Sequence, residues 1–120
     1  MKSSSTEVTR KQLQKKSKSN GDLSVLKIQN KCNEICLILK ALSHPTRLLI
    51  MGHLINGPKS VNLLVDLCQI SQSQMSQFLT RMKLEGLVKS TKTGKSQIYS
   101  IADQRLAHLL HTIQLEYCPK

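Results

Sequence analysis

Two helical segments set almost end to end between Ser60 and Gly86 constrain this chain more than any other feature. Ser60 has the chemistry of an N-cap for the run VNLLVDLC, whose Leu63, Leu64 and Leu67 are expected to point inward. A few residues later, Ser71 and Gln74 stand at the S-x-x-Q spacing of a capping box, which satisfies two backbone N–H groups reciprocally. They open a second helix, SQSQMSQFLTRMKLE, that stops at Gly86. Two helices joined by so tight a turn, the second with a polar face, predict a helix-turn-helix. After Gly86 the period changes: LVKST and SQIYSI read as strands joined by Lys92-Thr93-Gly94-Lys95, a β-hairpin with lysines flanking its tip. A helix-turn-helix followed by such a hairpin is a winged helix.

Helices are expected on both sides of this unit. Val25, Ile28, Cys32, Ile35, Leu39 and Leu42 recur at spacings of three and four, an apolar stripe that wants a partner. Ser43 reads as the N-cap of the next helix, with Pro45 in its first turn and Gly57-Pro58 as its stop. The last helix, from about Asp103 to Cys118, aligns Leu106, Leu110, Ile113 and Tyr117. The expected fold is therefore mainly α (α+β), five helices with a hairpin wing in the order ααααββα, formed by residues 21–120. Residues 1–20 carry six Lys/Arg against Glu7, and seven Ser/Thr, and read as a disordered basic arm. The first and last helices carry longer apolar stripes than a small core can cover. Burial on a twofold mate solves this and predicts a homodimer suited to a palindrome.

Charge narrows the partner. The 120 residues hold 18 Lys+Arg against 7 Asp+Glu, a net +11, which favours a polyanion. Aromatics make up 2%, so the core must come from Leu, Ile, Val and Met. No nucleophile–base pair, phosphate loop or complete metal site is legible, so the chain is read as acting by binding and not as an enzyme. No apolar run is long enough to cross a bilayer, and the N-terminus lacks the apolar centre of a signal peptide, so a cytoplasmic protein with no membrane partner is expected. Cys32, Cys36, Cys68 and Cys118 are then expected to be thiols, ligands or redox pairs, not a disulfide framework.

The Ser71–Glu85 helix carries the functional expectation. Met75, Leu79 and Met82 should face the core, with Ser73, Ser76, Gln77 and Thr80 on the opposite side. A solvent face is ordinarily rich in Lys and Glu; this one is rich in short donors and acceptors suited to base edges and phosphates. Gln can pair bidentately with adenine in the major groove. Ser71, Gln72, Ser73, Gln74, Ser76, Gln77 and Thr80, with Lys92 and Lys95 of the wing, are the expected contacts to double-stranded DNA. An architectural protein without sequence preference is an alternative; competition with unrelated duplex separates the two.

KALSHPTRLLIMGHLINGP, SQSQMSQFLTRMKLEGLV and GKSQIYSI together resemble the ArsR/SmtB family of bacterial winged-helix repressors, over roughly residues 26 to 118. The resemblance implies a homodimer on a palindromic operator, released by an inducer. It places Ser60, Asn62 and Val65 where an arsenic-sensing branch has cysteines. It places Asp103, Arg105 and Glu116 where a zinc-sensing branch has an Asp-x-His pair and a later His. It matches Cys118 to a cysteine of the sulfide- and redox-sensing branch, whose partner position is occupied here by Gly52. Cys36 or Cys32, four apart on the first helix, take that partner's role in the expected scheme: thiol oxidation or persulfidation as the releasing signal, with no cofactor. The alternative is a zinc or other thiophilic divalent ion on His108, His111 and Cys118. His44 and His53 read as structural, and Cys68 as packing.

Overall fold

A computed structural model describes residues 22–119; the basic arm 1–20 lies outside the described residues. The elements are α1 (Asp22–Leu42), α2 (Pro45–Leu54), β1 (Lys59–Ser60), α3 (Val61–Cys68), α4 (Gln72–Leu84), β2 (Val88–Thr93), β3 (Ser96–Ile101) and α5 (Gln104–Tyr117). Five helices and a hairpin appear in the expected order. The unforeseen element is β1, which makes the sheet three-stranded and antiparallel in the order β1-β3-β2. Its pairing is short, Lys59 opposite Tyr99 and Ser60 opposite Ile98.

The chain divides into two compact units, one ending at Leu37 and the other beginning at Ile38. The described part of the first is helical. Along its stripe Val25 is half-buried, while Ile28, Cys32 and Ile35 are exposed. The second unit holds the core. Ile50 and Met51 of α2, Leu64 of α3, and Met75, Leu79 and Met82 of α4 are fully buried, joined by Leu87 and Val88 at the start of the hairpin. Burying a side chain of this size stabilises by about 1.5–3 kcal/mol, so these residues dominate the fold's energetics. α5 adds Leu106 and Leu110, but Tyr117 at the end of its stripe is 81% exposed.

Two local expectations are corrected. Leu63 and Leu67 are 44% and 40% exposed, so only Leu64 of the three points fully inward. An eight-residue helix whose core contacts come from one side buries one row, and the flanking leucines stay at its rim. The N-cap of α2 is His44, not Ser43: the His44 Nδ1 accepts from the Thr46 N–H at 3.1 Å. Ser43 instead closes α1, its hydroxyl donating to the Lys40 carbonyl at 2.7 Å. Pro45 occupies N1, where its missing N–H costs nothing.

Candidate nucleic-acid interface

The bend between α3 and α4 is made at Gln69, which adopts φ 57°. Left-handed backbone is unfavourable for a side-chain-bearing residue. Here the Gln69 Nε2 offsets part of that cost by donating to the Asp66 carbonyl at 2.7 Å. α4 then starts with both halves of the capping box in place. The Ser71 Oγ accepts from the Gln74 N–H at 3.1 Å, and the Gln74 Oε1 accepts from the Ser71 N–H at 3.2 Å. Ser71 and Gln74 are thus engaged in building the helix start.

Gln72, Ser73, Ser76, Gln77 and Thr80 are all exposed on α4, opposite the buried Met75, Leu79 and Met82. They form two strips. Gln72, Ser76 and Thr80 face a groove of about 350 Å³, whose other walls are Ser60, Val61 and Asn62 before and within α3, and Lys95, Ser96, Gln97 and Tyr99 of the hairpin. Ser73 and Gln77 are not part of the groove lining. No carboxylate lines the groove, and Lys95 gives it a positive charge. Such a surface, rich in hydroxyls and amides, suits a polyanion that also presents hydrogen-bonding edges. Asn62, Ser96 and Gln97 were not anticipated. Strand alternation puts Gln97 on the same face as Tyr99, and the pairing of β1 with β3 carries the chain past the hairpin into α3, whose start supplies Asn62 to the groove.

The hairpin is tightly built. Thr93 pairs with Ser96, so the loop is only Gly94-Lys95, shorter than the four residues expected. Gly94 has φ 62°, the requirement of a hairpin turn at its first central position. Lys92 lies in the ladder opposite Gln97, while Lys95 is at the tip. The Ser90 hydroxyl accepts from the Lys83 Nζ at 2.8 Å and from the Gln97 Nε2 at 3.1 Å, linking the last turn of α4 to the stem of the wing.

The HPTR segment also reaches α4. The His44 ring lies 5.1 Å from that of Phe78, centroid to centroid, and the Arg47 Nη1 is 2.8 Å from the Glu85 Oε1.

The family model described as "Bacterial regulatory protein, arsR family" matches residues 44–90, from the cap of α2 to the stem of the wing. Over 93 residues the chain is 36% identical to the HTH-type transcriptional regulator YgaV of Escherichia coli (strain K12), covering 77% of this chain and 94% of the relative. The chain belongs to the ArsR family. The crystal structure of the transcriptional repressor BigR from Xylella fastidiosa superposes with a TM-score of 0.73 at 29% identity, over 78% of this chain and 96% of that one. A solution structure from Mycobacterium bovis, the homodimeric winged helix-turn-helix DNA-binding domain of a possible ArsR-family regulator, superposes with a TM-score of 0.64 at 26% identity. It covers 73% of this chain and 82% of that one. The winged helix-turn-helix is thus that of a transcriptional regulator in a DNA-binding family. Among the described residues no single helix is long and apolar enough to cross a membrane.

The residues expected to sense an inducer in this ArsR-family chain can each be described by its own surroundings. Cys32, Cys36 and Cys118 are free and exposed. Cys68 is buried, and that burial pushes its thiol up from the ordinary cysteine range, which disfavours the thiolate. Cys118 follows the last residue of α5 as its C-cap. Among the described residues no three His, Cys, Asp or Glu side chains come close enough to hold a metal ion, so His108, His111 and Cys118 are not assembled into a site. Asp103 is committed elsewhere: it caps α5 through the Arg105 N–H at 2.9 Å and grips the Arg105 guanidinium at 2.6 Å. These hydrogen bonds from Arg105 hold its carboxyl below the usual aspartate range.

Proposed function

We propose that this protein is a homodimeric, sequence-specific transcriptional repressor. It holds a palindromic operator with α4 in the major groove and the hairpin beside it, and it acts by binding, without catalysis or a resident cofactor. The observation that carries this reading is the carboxylate-free groove between Gln72, Ser76 and Thr80 and the Lys95-bearing wing. A twofold dimer is supported by apolar surface left uncovered on α5, where Leu109 and Leu115 are 37% and 61% exposed, and by the homodimeric relative. The releasing signal is thiol oxidation or persulfidation at Cys118 together with Cys36 or Cys32, favoured by the exposure of all three. Such chemistry lowers operator affinity only if the modified and unmodified dimers differ in free energy between their DNA-competent and released conformations.

The test selects an operator from a random duplex library and measures its affinity by fluorescence anisotropy against unrelated duplex, across a salt series. Specific binding that outlasts non-specific binding as salt rises supports the reading. Equal affinity for both duplexes overturns it in favour of an architectural protein.

A further inference from the structure

Each of two charges in this fold stands at the unfavourable end of its own helix. Arg47 is in the first turn of α2, where the helix presents its positive end, and Glu85 caps the C-terminus of α4, where the helix presents its negative end. Helix energetics therefore explains neither residue. Their pairing does: the Arg47 Nη1 meets the Glu85 Oε1 at 2.8 Å, with side chains only 16% and 32% exposed, and Arg81 adds a longer contact to the same carboxylate at 3.3 Å. The Arg47 Nη1 also donates to the Ala41 carbonyl at 3.2 Å, one of the acceptors left open by the end of α1. One guanidinium thus ties the end of α1, the start of α2 and the end of α4. A half-buried pair of this kind is a poor source of net stability, because desolvation offsets much of its attraction, but it fixes geometry well.

We infer that Arg47 and Glu85 form a clamp that sets the angle at which α4 is presented, making Arg47 a positioning residue for operator discrimination. The inference rests on the operator-reading proposal. A helix rotated by the loss of its end anchor still meets phosphates but misses base edges, so discrimination suffers more than raw affinity.

The test compares operator with unrelated duplex by anisotropy, alongside thermal unfolding, for Arg47→Gln, Glu85→Gln, the double variant, Arg47→Lys and the charge swap R47E/E85R. Each Gln variant is expected to lower the operator-to-unrelated affinity ratio about tenfold, the size of one lost bidentate base contact. The double variant falls no further, since both act through one contact. Arg47→Lys, able to serve one acceptor at a time, recovers part of the ratio. The swap places each charge at the favourable end of its helix but sets a guanidinium at position 85 beside Arg81, so the two effects offset and its melting temperature stays close to that of the wild type. Its ratio nevertheless stays low, because a carboxylate cannot donate to the Ala41 carbonyl. A swap that restores both properties, or Gln variants whose ratio is unchanged, overturns the clamp. A wild-type protein that fails to distinguish the two duplexes overturns the operator reading instead.

Discussion

Ser60 and Ser71 each accept a backbone N–H at 3.1 Å, and each opens a helix of the reading unit. Ser71→Ala is expected to lower unfolding free energy by about 1 kcal/mol in urea titrations, the usual loss for such a cap. Leu64→Ala, at a fully buried site, is expected to lower it by about 2–5 kcal/mol. Asp103 predicts a pH effect. Its folded carboxyl titrates below its ordinary value because Arg105 hydrogen-bonds the charged form. Its contribution is therefore complete above the unfolded aspartate range and is lost as pH falls through the folded value. Asp103→Asn should flatten the acid limb of a stability-versus-pH curve, and an unchanged limb would refute the assignment. The serine caps were legible because their side chains act on N–H groups three residues away. His44 was not: Ser43 has the better intrinsic propensity, but its hydroxyl is taken by Lys40, and Pro45 at N1 was the signal that the cap is residue 44.

At the scale of elements, the period change after Gly86 located the wing, since strand alternation is a local property. β1 escaped because two residues have no period; only pairing with Tyr99 and Ile98 far along the chain creates it. The groove escaped for the same reason, for its walls come from three separate parts of the sequence. The wing makes two predictions. Gly94→Ala meets no neighbour within 4 Å, so its only penalty is the positive φ, about 1 kcal/mol, read as a loosened hairpin in hydrogen exchange. Lys95→Ala should weaken binding to operator and unrelated duplex alike and reduce the salt slope by about 1, whereas Gln77→Ala should cost about 1–3 kcal/mol on the operator alone. A Lys95 variant that loses only operator affinity would show that this lysine reads bases.

For the whole molecule, the stripes of the first and last helices were legible as apolar, but how far each would be buried was not, because burial depends on packing against distant parts of the sequence. Leu115 and Tyr117 remain outside on α5. The sensing proposal predicts that Cys118→Ser abolishes the response of operator binding to a persulfide donor while leaving basal affinity intact; a variant that still responds fully refutes it. The core has a bearing on that experiment. Three of the four methionines, Met51, Met75 and Met82, are sealed at 0% exposure, two of them beneath the exposed polar side of α4. A polar sulfoxide there would wreck the packing, yet peroxide must first open the fold to reach the thioethers. Mild treatment should thus spare these three methionines while the exposed cysteines react, and sulfoxide on the three should emerge only near the melting transition, so that the two kinds of oxidation separate along the temperature axis.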